Sequence, residues 1–243
     1  MSNIVPVVLV KNDEYFLPYA LESTRGFFSR YVIYDINSTD RTRDIIQWFV
    51  STNPTVEFLT RMLPECPPIV QGCFRNAQIA EAQSELYMIL DGDEIWTPES
   101  LTLVVNSPKI FNQHNNALYG VVRRIEIGAS LIEAYGVKNW VPHHRLYRRQ
   151  ATWLGSHPGE YPYISQNQEN EIYFRNIQMY HFHNCSRSSK DALVPKRIER
   201  RGRATYRPGE LSSINILDTL PILKQKIENF PINPQLQKLL DEQ

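Results

Sequence analysis

The chain opens on a nearly unbroken apolar run, Ile4 to Val10, with Pro6 near its start. A short apolar run without alternation predicts a strand covered on both faces. Between Glu14 and Thr24 the rhythm changes. Phe16, Leu17, Ala20, Leu21 and Thr24 fall at helical spacing, which predicts a helix. Tyr31 to Tyr34 is a second short buried strand, and Ile45, Ile46, Phe49 and Val50 share one face of a helix over Asp40 to Val50. Thr55 to Thr60 reads as a third strand. Gly72 to Ser84, carrying Ala77, Ile79, Ala80 and Ala82, reads as a helix, and Leu86 to Leu90 as a fourth strand that runs into Asp91-Gly92-Asp93-Glu94. Strands alternating with helices predict right-handed crossovers and an α/β fold with a mainly parallel sheet flanked by helices.

Beyond residue 100 the pattern shifts. Short alternating runs (Leu118 to Val122, Arg145 to Tyr147, Ile172 to Phe174, Gln178 to Phe182), many aromatics and scattered prolines predict a mixed or antiparallel extension with long loops. A turn-rich stretch from Arg187 to Gly209 precedes a polar helical tail, about Leu217 to Leu240, interrupted by Pro221, Pro231 and Pro234. The expected organisation is residues 1–100 and 101–210 as two halves of one domain, and residues 211–243 as the tail.

Composition narrows the function. The chain has 243 residues, 42% hydrophobic and 21% charged, so it can bury a core as an ordinary soluble protein. Its 26 basic and 26 acidic side chains cancel, which removes the overall field expected of a nucleic-acid binder. Cys66, Cys73 and Cys185 are odd in number and scattered. They suit a reducing compartment, and cytoplasmic location is the expectation. The N-terminus lacks a basic leader and reads as a strand. No stretch approaches the roughly 20 apolar residues of a membrane span. Peripheral membrane contact through Trp140, Trp153 and nearby arginines stays open.

Charge is uneven locally. Glu81 to Glu99 holds six acids and no Lys or Arg, and Lys196 to Arg207 holds six bases against Glu199. The two runs are either a cation site and an anion site brought together or two solvated helix faces.

The strongest chemical signal is the strand ending in Asp91 and Asp93, two carboxylates at i, i+2 with Glu94 next. Like charges held this close are costly unless a cation neutralises them. Oxygen ligands favour hard ions such as Mg2+ or Mn2+, and Mg2+ is usually shared with substrate phosphates. The other reading is a turn whose carboxylates cap the next helix. Neither an EF-hand loop nor a glycine-rich phosphate loop is present. Parallel sheets bind ligands at the carboxyl ends of their strands. Lys11-Asn12-Asp13, Asp35 to Asp40 and Asp91 to Glu94 all fall there. Ser38, Thr39 and Asp40 suit capping of the following helix. Asp35, one step past the buried strand, can accept hydrogen bonds from a base or ribose. His181 and His183, at i, i+2 on an expected strand, would face one side, whereas the adjacent His143 and His144 would face opposite ways.

Taken together, VKNDEYFLPYALES, VIYDINSTDRTRDII and FRNAQIAEAQSELYMILDGDE resemble, in that order, the N-terminal half of a family-2 glycosyltransferase of the GT-A fold. HHRLYRRQATWLGSHPGEYPY and MYHFHN resemble its later acceptor-side and histidine segments. The resemblance implies a GT-A-like fold, with residues 1–100 binding a nucleotide-sugar and residues 101–210 facing the acceptor. It implies that Asn12 or its neighbours and Asp35 hold the base, that Arg75 lies near the nucleotide, and that Asp91 and Asp93 fill a DXD motif, touching ribose and a metal (Mn2+ or Mg2+) that bridges the diphosphate. A late histidine, His181 or His183, would complete the metal sphere. Asp-Gly-Asp-Glu departs from the usual motif by the extra Glu94.

The implied activity is transfer of a sugar from a nucleotide-diphosphate donor to a hydroxyl of a glycan or lipid-linked acceptor, with inversion. The acceptor hydroxyl must lose a proton as it attacks. Glu160 is the candidate base by its position, with His157 as its rival. The basic segment with Arg197 and Arg201, flanked by Gly202, Pro208 and Gly209, could close over the diphosphate. A nucleotidyltransferase would need a glycine-rich basic loop where VKNDEYF stands. A catalytically inactive carbohydrate- or nucleotide-sugar-binding protein of the same fold remains the alternative.

Overall fold

A computed structural model of the chain describes residues 4–65, 67, 71–151, 153, 170–191 and 211–242. Strand β1 (Ile4–Val10) is central. It pairs in parallel with β2 (Arg30–Ile36) on one side and with β4 (Leu86–Leu90) on the other, and β2 pairs in parallel with β3 (Glu57–Leu63). Pairing with β2 begins at Val7, so Pro6 lies outside that ladder, although it stands opposite Met88 in the ladder with β4. Burial on both faces accounts for the unbroken apolar runs of β1 and β4.

Helices α1 (Leu17–Ser23), α2 (Thr42–Ser51) and α3 (Gln71–Ala82) make the crossovers. Each predicted element of this half is present, β1 and β4 with the expected ends and the others with shifted ones. Strand β2 continues through Asp35 and Ile36, so Asp35 lies inside the strand and is buried. Helix α2 begins after Asp40, whose Oδ1 accepts from the Thr42 backbone N–H at 2.9 Å. Ser38 turns instead toward Asp35 and Asn12.

Helix α4 (Pro98–Gln113) has no counterpart in the sequence reading. Its signals are local: Thr97 accepts from the Ser100 N–H as N-cap, Pro98 opens the first turn, and Leu101, Val104 and Phe111 are buried. Pro108 inside the helix breaks the pattern by which such a segment is recognised.

The second half is the expected antiparallel extension of the same sheet. Strand β8 (Pro142–Arg148) runs antiparallel to β4, and β6 (Tyr119–Ile127) antiparallel to β8. Strand β9 (Glu171–His181) lies parallel to β6, and β5 (Glu94–Trp96) antiparallel to β9. The short strands β7 (Glu133–Tyr135) and β10 (Ser212–Ser213) close one edge of the sheet, which has ten strands among the described residues. The two apolar runs read separately around Phe174 and Gln178 belong to one strand, β9. Its register jumps from Val122↔Phe174 to Arg123↔Gln178, and that irregularity hides its continuity.

The tail has short helical turns at Ile216–Thr219 and Pro221–Lys224 and a last helix, Pro234–Asp241. Leu217, Leu223 and Leu236 bury against Phe16 and Phe182 in a second core. Trp153 is 6% exposed and donates its ring N–H to the Tyr87 hydroxyl at 3.1 Å. Its ring is part of the core, which removes it as a membrane contact. Among the described residues no helix is long and apolar enough to cross a membrane.

Candidate active site

The turn that follows β4 carries three carboxylates, and the structure gives each a guanidinium. Asp91 Oδ1 accepts from Arg75 on α3 at 2.8 Å, and its Oδ2 from Arg145 on β8 at 2.9 Å. Glu94 is 0% exposed and takes Arg145 Nε on both oxygens, at 2.9 and 3.0 Å. Asp93 Oδ2 lies 2.8 Å from Nη1 of Arg187. Gly92 is required by close approach: a Cβ there would meet Asp13 at 3.0 Å and Val10 at 3.1 Å. The end of β1 therefore packs directly on the acidic turn.

Arg145 reaches the acids because β8 is irregular at that point. Gly120 pairs with Leu146 and Val121 with His144, leaving Arg145 as the extra residue. A bulge of this kind re-aims a side chain, here into the acidic turn. Burial pushes the Glu94 carboxyl up, Arg145 opposes it, and the net is a rise to about 8. His143, two residues before Arg145 on the same strand, has Nε2 at 3.8 Å from Glu94 Oε1, while His144 turns to Glu171 at 2.8 Å. The opposed directions expected of these two histidines are thus realised.

Strand β5 joins Asp93 to the late histidines. Glu94 pairs with His181 across β5 and β9, and the Phe182 N–H donates to Asp93 O at 2.9 Å. Asp93, His181 and His183 each bring a ligand atom within 4.8 Å of the others. His183 lies just past the end of β9, yet its ring centroid is 4.9 Å from that of His181. Both Asp93 carboxylate oxygens and His181 Nδ1 are buried without a hydrogen-bond partner. The Arg187 contact is thus an ion pair lacking hydrogen-bond alignment. Burial pushes the His181 pKa well below the ordinary imidazole range, so the ring is neutral, the form that ligates metals. A carboxylate, two imidazoles and buried atoms without partners fit a divalent cation. Asp91 stands outside this group, with an arginine on each oxygen.

Around this centre the ends of β1 and β2 form a tight polar lattice. Asn12, with φ of 50°, accepts on Oδ1 from the Thr39 N–H at 2.8 Å, and its own N–H donates to Ser38 Oγ at 2.8 Å. Asp35 accepts from the Ser38 N–H at 3.1 Å and from Arg43 Nε at 3.1 Å. Burial raises the Asp35 pKa, opposed by the bonds from Ser38 and Arg43. Asp13 takes Arg187 Nε at 2.6 Å. Glu14 accepts from the Ser189 N–H at 2.8 Å, Ser189 Oγ at 2.6 Å and the Arg41 N–H at 3.1 Å.

The structure therefore gathers Asp91, Asp93, Arg75, His181 and His183 at one end of the sheet and places Asn12 and Asp35 at the neighbouring strand ends. Glu160, His157, Arg197 and Arg201 lie outside the described residues. Asp13, named only within the cluster after β1, joins this group through Arg187, and Glu14, Arg145 and Arg187, which lie beside it, escaped the sequence reading. Asp13 and Glu14 carry a signal, being acids at the end of β1. Arg145 depends on a bulge, and Arg187 arrives from a distant loop.

No protein-family model matches the chain, and no curated protein sequence matches it. Solved structures do. TarS of S. aureus, residues 1-349, superposes with a TM-score of 0.51 at 14% identity, covering 75% of this chain and 61% of that one. The mannosyltransferase PcManGT of Pyrobaculum calidifontis, in complex with GDP-Man and Mn2+, superposes with a TM-score of 0.53 at 12% identity, covering 91% of this chain and 68% of that one. The fold is GT-A-like. The same TarS fragment in complex with UDP-GlcNAc gives a TM-score of 0.51 at 12% identity, over 76% of this chain and 59% of that one. This GT-A-like chain thus spans about three-fifths of the TarS fragment.

Proposed function

We propose that the protein is a metal-dependent glycosyltransferase that moves a sugar from a nucleotide-diphosphate donor to an acceptor hydroxyl with inversion. The observation that carries this reading is the group of buried Asp93 and His181 with half-buried His183 at the carboxyl end of β4, where open α/β sheets bind their ligands. Structural neighbours with the same fold are complexes with UDP-GlcNAc and with GDP-Man and Mn2+, which supports a nucleotide-sugar donor here.

Asp93 and the two histidines would hold the cation, and the two imidazoles favour Mn2+ over Mg2+, which prefers oxygen ligands. When bound, such an ion supplies positive charge to a departing diphosphate. Asp91 is oriented by Arg75 and Arg145 to accept from the donor's ribose. Asp35 and Asn12 line the base side. Glu160, with His157 as its rival, takes the acceptor's proton, and Arg197 and Arg201 contact the diphosphate. The acceptor is a glycan or a lipid-linked sugar.

The test is incubation with a panel of UDP- and GDP-sugars in Mn2+ buffer, reading nucleotide release and thermal shift. Metal-dependent release from at least one donor is expected. Neither release nor shift across the panel contradicts the reading. A metal-dependent shift without turnover, with or without acceptor, favours the alternative of an inactive nucleotide-sugar-binding protein.

A further inference from the structure

The charge on Asp93 is already answered inside the chain. Arg187 places Nη1 at 2.8 Å from Asp93 Oδ2, while its Nε and Nη2 hold Asp13 Oδ1 at 2.6 and 2.5 Å. Its backbone is fixed separately. The Arg187 N–H donates to Asp191 Oδ2 at 2.9 Å, and its carbonyl accepts from the Tyr15 N–H at 3.0 Å. The two carboxylates are each 1% exposed, so water screens this pairing poorly. Two features stand out. The contact to Asp13 is hydrogen-bonded, and the contact to Asp93 is not aligned as one. The same Asp93 oxygen lies 3.6 Å from His181 Nε2, on the side where a cation would be shared with the histidines.

We infer that Arg187 is an internal counter-cation, which a divalent ion must displace from Asp93, with Asp13 as the carboxylate that retains the guanidinium after displacement. The inference rests on the metal reading above and adds competition to it. In the ion-free protein Arg187 neutralises Asp93 and keeps the acidic turn from repelling itself apart. When a divalent ion occupies Asp93, His181 and His183, a guanidinium against the same carboxylate becomes a like charge. It withdraws Nη1 while Nε and Nη2 stay on Asp13. Ion affinity in the absence of donor is thereby held down, and it is set by the balance of Asp13 and Asp93 for one arginine.

The experiment is calorimetric titration of Mn2+ into donor-free protein, with melting curves to confirm folding. Arg187→Gln and Arg187→Met remove the competitor and are expected to bind Mn2+ severalfold more tightly than the natural chain. Arg187→Lys keeps the charge and stays near the natural affinity. Asp13→Asn removes the retaining carboxylate without removing the arginine, so Arg187 rests on Asp93 alone and Mn2+ binding weakens. These opposite directions keep the idea testable should the arginine variants fold poorly. Unchanged or weaker binding in Arg187→Gln and Arg187→Met, or tighter binding in Asp13→Asn, overturns the competition while an effect of Asp93→Asn on binding preserves the ion site. Absence of Mn2+ binding in every variant and in the natural chain, with and without nucleotide, overturns the ion site itself and the competition with it.

Discussion

At the scale of single residues the site is a problem in charge placement. Asp91, Asp93 and Glu94 lie in one turn, and a turn with three carboxylates folds only if cations reach it. Arg75, Arg145 and Arg187 come from three different elements to do so. Asp93 is the carboxylate left without hydrogen bonds, and it is the one that faces the histidines. Glu14 plays a different part. Burial acts to raise its pKa, and the hydrogen bonds from Ser189, the Arg41 N–H and Ser188 outweigh burial, so the net shift from 4.5 is downward. The folded state thus favours the carboxylate. Its contribution to stability is complete above pH 4.5 and is lost as pH falls through the lower folded value. Glu14→Gln leaves donors of the 189 loop and of Arg41 poorly satisfied, at a cost of about 1–3 kcal/mol. Its denaturation midpoint falls at neutral pH, and its loss of stability on acidification is shallower than that of the natural chain. Parallel acid profiles for the two proteins would remove Glu14 from this role.

The residue scale is also where legibility ends soonest. Asp91 and Asp93 are readable because an apolar strand stops on them. His181 and His183 are readable as a pair, although His183 lies past the strand and reaches Asp93 through the turn after β9. Arg145 is not, because the alternation of β8 would place it by parity, and a bulge overrides parity. Arg187 is not, because nothing local to it signals a partner as distant as Asp13.

At the scale of elements, the first ninety residues were legible because each strand and helix there follows its own period, whereas the three-residue strand β5 is too short to show one. Misread ends trace to side chains bonding outside the expected helix, as Ser38 does with Asp35 and Asn12. Helix α4 was lost to an internal proline, and β9 was split by its irregular register. The decisive element is the smallest one. Strand β5 is three residues long, yet its pairing with β9 brings Asp93 beside His181. That pairing is held from below by Phe182, 0% exposed and stacked on Phe16 at 4.5 Å between ring centroids. Phe182→Ala is expected to cost about 3–5 kcal/mol and to weaken Mn2+ binding, because the residue lies between the two histidines. A variant that melts far earlier but binds Mn2+ as tightly when folded would show that β5 and β9 hold the site without it.

At the scale of the whole molecule, one sheet joins the halves and the tail packs against both, on Phe16 of the first and Phe182 of the second. Asn233, fully buried, donates to Ser186 O at 2.7 Å while its Oδ1 caps the last helix at the Gln235 and Leu236 N–H groups. The tail therefore holds the 186–191 segment, and that segment holds Asp13, Glu14 and Asp93. Asn233→Ala loses the cap and the bond to Ser186 together, and about 1–3 kcal/mol of stability is expected to go with them. Faster amide exchange at Tyr15 and Arg187, whose N–H groups tie this segment down, is the accompanying readout. Exchange faster only within residues 234–241 would confine Asn233 to capping its own helix. None of this coupling is visible in the sequence, where the tail reads as an interrupted polar helix.

The central claim is that Asp93, His181 and His183 grip a divalent ion. A crystal grown with manganese and a nucleoside diphosphate, with anomalous diffraction recorded for the metal, tests it most directly. The account predicts a manganese peak bonded to an Asp93 carboxylate oxygen and to a ring nitrogen of His181 or His183, with the diphosphate against it. No peak there, and Asp93 still paired with Arg187 beside a bound nucleotide, would contradict it.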